Sequence, residues 1–150
     1  MVGNDLVLTY VEVGSFEAAY EAATGQELGP GADLDALAVG DVDGDGVADL
    51  IDWAFGGSLG GSDPGRVLQI LAVEETGGSK VVTLRYPLNP VATDVTLTVE
   101  SEDDLTGPFA AAAFIPTSTE TVGGIVFQRG TVSLPLPTPN AFFRIGATLD

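Results

Sequence analysis

From residue 66 onward the sequence is a series of short apolar runs: RVLQILAVEE, KVVTLRY, DVTLTVES, AAAAFIP, GGIVFQR, TVSLPLP and AFFRIGATL. Gly, Pro, Asn and Asp separate them at roughly regular spacing. β-Branched and aromatic side chains suit a pleated, half-buried surface, and such runs bounded by turn residues read as strands. The spacing predicts a mostly β protein, an antiparallel Ig-like β-sandwich of about seven strands. Pro135, Pro137 and Pro139 cannot donate to a ladder, so they predict an edge strand or an extended connection. Nothing repeats at the period of a solenoid or propeller.

The part before residue 66 has a different character. Leu6–Val13, LVLTYVEV, reads as one more strand, with imperfect alternation. Ser15 is a good helix N-cap, and Glu17 falls in the first turn, where the helix dipole favours negative charge. Phe16, Ala19, Tyr20 and Ala23 share one face at helical spacing, and Gly25 is a stop signal. DLDALAV is ambiguous between a helical turn and a strand, and a short helix is expected from Asp49 to Phe55, ended by Gly56 and Gly57. GGSLGGSDPG reads as a linker. The expected organisation is an N-terminal strand over 1–14, a helical segment over 15–65 and a sandwich over 66–150.

Charge narrows the partners. Lys and Arg number 5 against 22 Asp and Glu, a net charge of −17. Such a chain repels polyanions, so nucleic acid and anionic membrane are poor partners. At 45% hydrophobic residues it can still build a core. It has no Cys and no His, which excludes disulfides, thiolate nucleophiles, zinc sites of the usual kind and His-based acid–base chemistry. The opening MVGNDLVLTYVEVGS has no basic segment and no unbroken apolar block, so it is not read as a leader.

The densest charge lies in GDVDGDGVADLIDWAFGG, Gly40 to Gly57. Counted from Asp41, acids stand at positions 1 (Asp41), 3 (Asp43), 5 (Asp45), 9 (Asp49) and 12 (Asp52), with Gly46 at position 6. This is the EF-hand spacing: oxygen ligands at 1, 3 and 5, the carbonyl at 7 (Val47), position 9 often through water, and position 12. Glycine permits the turn that folds the first carboxylates round an ion, and hard oxygen ligands select Ca2+ over softer metals. Without a cation, two carboxylates about 4–5 Å apart repel by roughly 1–4 kcal/mol. Position 12 is Asp52 rather than Glu, a shorter arm. One loop without a second is expected to act as a structural clip, since sensing uses paired hands and a switchable groove.

The loop and helix, followed by VVTLRYPLNPVATDVTLTVESEDDL and closing on AFFRIGATL, resemble a C-terminal module of many secreted Verrucomicrobia- and Planctomycetes-type proteins. In that module a dockerin-like or thrombospondin-type-3-like calcium loop leads into a short helix and a small β-domain. The resemblance covers about residues 41 to 149, and it implies an extracellular, structural or surface-attachment role. By that resemblance the ligands are Asp41, Asp43, Asp45, Val47 through its backbone, Asp49 and Asp52. The chain departs from the module at Gly107–Phe109, where a tryptophan is usual, and in its own N-terminal strand and helix.

Catalysis is not expected. Glu74–Glu75 and Glu102–Asp104 read as solvated charge at turns and strand ends, and no Ser- or Cys-based nucleophile has a His to activate it. The expectation is a non-catalytic cell-surface or matrix building block. Its N-terminal strand pairs within its own sheet or adds to a neighbour's edge, and in the second case a homopolymer follows. The alternative is an adhesion or carbohydrate-binding module of a larger secreted protein, with a cell-surface polysaccharide or protein as partner. Trp53, the sole tryptophan, would be its aromatic platform, although its helical spacing fits a core residue.

Overall fold

The computed structural model describes residues 15–61 and 65–150. The strand expected over Leu6–Val13 lies outside the described residues. Among the described residues three short helices precede seven strands: α1 (Phe16–Thr24), α2 (Leu34–Ala38), α3 (Asp49–Phe55), β1 (Gln69–Thr76), β2 (Ser79–Pro87), β3 (Val95–Glu102), β4 (Ala110–Ala111), β5 (Phe114–Val122), β6 (Ile125–Pro135) and β7 (Phe142–Leu149). The strands form two antiparallel sheets, ordered β1-β2-β6-β5 and β4-β3-β7. The protein is therefore mostly β, with a sandwich-like core.

That core follows from alternation. Along β2 the buried positions are Val82, Leu84 and Tyr86, spaced by two, and Val132 of β6 and Val99 of β3 meet them from either sheet. The run expected as two strands, GGIVFQR and TVSLPLP, is one long strand. Gly130 does not interrupt it, because the Phe114 ring lies over it, and a Cβ there would fall 2.3 Å from Phe114 Cζ. Conversely AAAAFIP is two strands: Ala110–Ala111 pair with β3, and from Phe114 the chain joins β6 in the other sheet. Pro135 ends β6, which is a central strand rather than the expected edge strand, and Pro137 and Pro139 lie in an irregular connection that bends at Leu136 and Pro137.

The helices cap one end of the sandwich. Ser15 Oγ accepts from Ala18 N–H, and Gly25 adopts φ 69°, so α1 starts and stops where its capping residues stand. Phe16, Ala19 and Tyr20 pack inward, whereas Ala23 is exposed. DLDALAV resolves into the helix α2, with Asp33 as its cap. α3 carries apolar residues on adjacent faces and belongs to two clusters at once. Leu50 and Trp53 join Phe16, Ala38 and Leu59, and Phe55 and Ile51 join the sandwich cluster. GGSLGGSDPG is not merely a linker: Ser58 bridges to Gly61, and Leu59 is buried among the helices.

Candidate metal centre

The loop between α2 and α3 is shaped by its own carboxylates. Gly44 and Gly46 sit at φ 72° and 89°, a left-handed backbone that side chains resist, and they let the chain double back. Asp41 then accepts at Oδ1 from Gly44 N–H (2.8 Å) and Asp45 N–H (3.1 Å), and at Oδ2 from Gly46 N–H (2.8 Å). Asp43 accepts from Asp45 N–H and Asp45 from Val47 N–H. The loop closes where Asp49 N–H donates to Gly40 C=O at 2.8 Å, and Asp49 Oδ1 accepts from Val42 N–H.

Carboxylate oxygens of Asp41, Asp43 and Asp45 come within 4.8 Å of one another. Asp49 and Asp52 stand outside that triple, on α3, but the triple's charge bears on them. Asp49 is fully buried. Oδ2 of Asp43, Asp49 and Asp52 are all shielded from solvent without a hydrogen-bond partner. A buried polar atom left unpaired costs free energy comparable to a lost hydrogen bond, and a charged one costs more. Val47 contributes its N–H to Asp45.

The electrostatics agree with the geometry. Burial, reinforced by the charges of Asp45, Asp43, Asp49 and Asp41, pushes the Asp52 carboxyl up to about 7. Burial likewise raises Asp43 and Asp49, and neighbouring loop carboxylates add to both. Asp41 moves the other way, because the Gly46 amide, followed by lesser donors, stabilises its charge. The site is thus an oxygen-only cradle with surplus negative charge and orphaned acceptors. Hard divalent cations suit such a donor set, and soft metals do not.

Sequence reasoning overlooked the contacts that tie this loop to the rest. Asp94, just before β3, accepts from Phe16 N–H through Oδ2 (2.7 Å) and from Trp53 Nε1 through Oδ1 (3.0 Å). Its carbonyl accepts from Asp150 N–H at 2.9 Å. Asn89 donates from Nδ2 to Trp53 C=O and from its backbone to Ala54 C=O. Arg66 Nη1 donates to Phe55 C=O at 2.9 Å. A lone Asp before an apolar run reads as an ordinary turn residue, and its partners lie too far away in sequence to give a signal. No family model matches the chain, and no curated protein matches it.

Proposed function

We propose that this is a non-catalytic, extracellular, calcium-binding structural protein, a surface or matrix building block that assembles into filaments by strand addition. The observation that carries the calcium site is Asp49, a fully buried carboxylate whose Oδ2 has no partner, beside the equally orphaned Oδ2 of Asp43 and Asp52. A divalent cation in the loop would give such oxygens a partner and offset part of the charge crowded among five aspartates. Asp41, Asp43, Asp45, the Val47 carbonyl, Asp49 and Asp52 would hold Ca2+ in an EF-hand-type loop, with α3 as its exiting helix.

A structural role is supported by where α3 sits. Trp53 and Phe55 anchor it in different clusters, so a cation holding its first turn fixes the helical cap on the sandwich. The two sheets, β1-β2-β6-β5 against β4-β3-β7, suit an Ig-like arrangement. Outside the loop, Glu74, Glu75, Asp103 and Asp104 are exposed, which favours solvation over acid–base work. The carbohydrate-module alternative has less support, because Trp53 is buried with its indole N–H on Asp94, and the ring is not presented as a platform for a sugar. No helix among the described residues is long and apolar enough to cross a membrane.

Terbium luminescence tests the site directly. Trp53 is the sole tryptophan and adjoins Asp52, so excitation of the indole should sensitise Tb3+ bound in the loop. The emission should be displaced by Ca2+ and lost in Asp45→Ala. Emission that survives Asp45→Ala would sink the site assignment.

A further inference from the structure

The sandwich is open along one side, and the opening has a definite shape. β7 pairs with β3 on one edge, and among the described residues no strand pairs with its other edge. An edge strand presents unpaired N–H and C=O groups at alternate residues. Six consecutive residues of β7, Arg144 to Leu149, line a groove of about 730 Å³ whose opposite wall comes from α2 and α3. Consecutive residues point to opposite faces, so the groove takes in the free edge, and it extends over one face of the sheet to Thr98 and Glu100 of β3.

The other sheet registers the same gap. Ile70 and Val73 of β1 lie opposite Leu84 and Val82 of β2, and directly paired residues share a face. Leu84 and Val82 are 0% and 3% exposed, whereas Ile70 and Val73 are each 55% exposed. The core-facing side of β1 is therefore uncovered. Val73 also lines a second cavity, of about 160 Å³, together with Phe143 of β7 and Lys80. A strand added to the free edge of β7 would lie over β1 and cover both residues.

We infer that this edge is the acceptor for strand addition, and that its occupant is Leu6–Val13 of a second copy of this chain, running antiparallel to β7. The inference rests on the self-assembly reading and specifies where and how it acts. Leu6–Val13 has the eight residues that β7 has. The direction follows from where the run attaches. Phe16 N–H is held by Asp94, beside Val95, which pairs with Leu149. The run of the same copy, arriving at Ser15 by this end, can lie along β7 only in parallel. To lie antiparallel it would have to finish at the Phe142 end and return along the whole strand, about 25 Å, through Gly14 alone. All five strand pairs described are antiparallel. A second copy supplies that direction without constraint.

End-to-end register sets Leu6, Leu8, Tyr10 and Glu12 opposite Leu149, Ala147, Ile145 and Phe143, the core-facing residues of β7. Tyr10 then faces the gap beside Ile145, and Leu8 and Leu6 reach the level where Ala147 and Leu149 pack against the helices. The one acid arrives at the level of Phe143, where Lys80 lines the cavity. Each copy both donates and accepts, so where the exchange is not reciprocal between two copies the contact propagates as a filament.

The chain lacks cysteine, so cysteine pairs give a clean test. Full-length Glu12→Cys and full-length Val73→Cys are mixed in millimolar Ca2+ under mild oxidation, and assembly is followed in parallel by light scattering. Disulfide-linked pairs of the two variants are expected, with at least a fivefold lower yield when Val11→Cys or Leu6→Cys replaces Glu12→Cys. Preferential linkage from Leu6→Cys would mean parallel addition and overturn the inference. So would assembly that links instead to Ile115→Cys on β5, or a Glu12→Cys/Val73→Cys double variant that closes within one monomer. In those cases the self-assembly reading stands or falls on the scattering alone. Absence of any assembly overturns that reading, and this inference with it.

Discussion

The cluster around Leu84 is built mainly from paired strands of both sheets, with Phe55 of α3 at one end, whereas the cluster around Phe16 is held by single contacts: the Asp94 carboxylate, the Asn89 amide, the turn around Leu59 and the aspartate loop. In the first, backbone ladders fix the geometry, and side chains need only alternate. In the second, the helices α1, α2 and α3, of nine, five and seven residues, are too short to be stable alone and depend on what they pack against. The contrast teaches that one end of this molecule is self-sufficient and the other is conditional on a few polar groups and, on the reading proposed above, on a cation.

Leu84→Ala should do the greatest damage. It removes a fully buried side chain from the ladder-enclosed core, and about 2–5 kcal/mol should be lost in denaturant melts whether calcium or chelator is present. A loss that depends on calcium would erase the distinction between the ends. Calcium removal comes next. Free Ca2+ a hundredfold above its dissociation constant should contribute about 2.7 kcal/mol, so chelation should lower the melting temperature. Amide exchange should then quicken in α1 and α3 while β2 and β6 remain protected. Exchange that rises uniformly would contradict a conditional end.

Asp94→Ala isolates the polar staple. Two hydrogen bonds disappear, and the Phe16 amide and Trp53 indole lose their acceptor. About 2 kcal/mol of stability should go, with a red shift of Trp53 emission as water reaches the ring. Unchanged emission would mean that Asp94 does not hold α3.

The smallest effect is on pH dependence, and its sign is informative. The folded Asp52 carboxyl titrates near 7 against an ordinary 3.8, and Asp43 and Asp49 are displaced upward as well. A carboxyl raised by folding binds its proton more readily in the native state. Its stabilisation is full below the ordinary carboxylate value and is lost as pH rises toward 7. The metal-free protein should therefore melt higher at pH 5 than at pH 8. Asp41, shifted downward, acts below this window. With calcium the trend should reverse, because protons compete with the ion. A metal-free melting temperature that is flat across this range would show that the loop carboxylates do not crowd one another in solution.

What the sequence disclosed was local. Ser15 and Gly25 mark α1, Gly56 ends α3, and alternation along β2 reveals its buried face, because each signal lies within a few residues of its effect. The loop spacing likewise brought Asp41, Asp43 and Asp45 together as expected. What it concealed depends on distant neighbours. Gly130 looked like a break because nothing nearby reveals the Phe114 ring above it. Leu59 looked like linker because its cluster gathers Phe16 and Ala38 from far upstream and Val95 and Ala147 from far downstream. The crossing from β4 to β5 falls in a run of alanines, whose small side chains give no alternation to read.

Asp94 also imposes an order of events. Its bond to Phe16 spans 78 positions, and its carbonyl is fixed only once Asp150 has come alongside. The sheet edge that presents it is made by pairing β3 with β7, the last of the described strands. Contacts between distant segments form slowly, because the intervening chain must first be closed into a loop. α1 is therefore made well before its place exists, and until β7 arrives Phe16 has no seat.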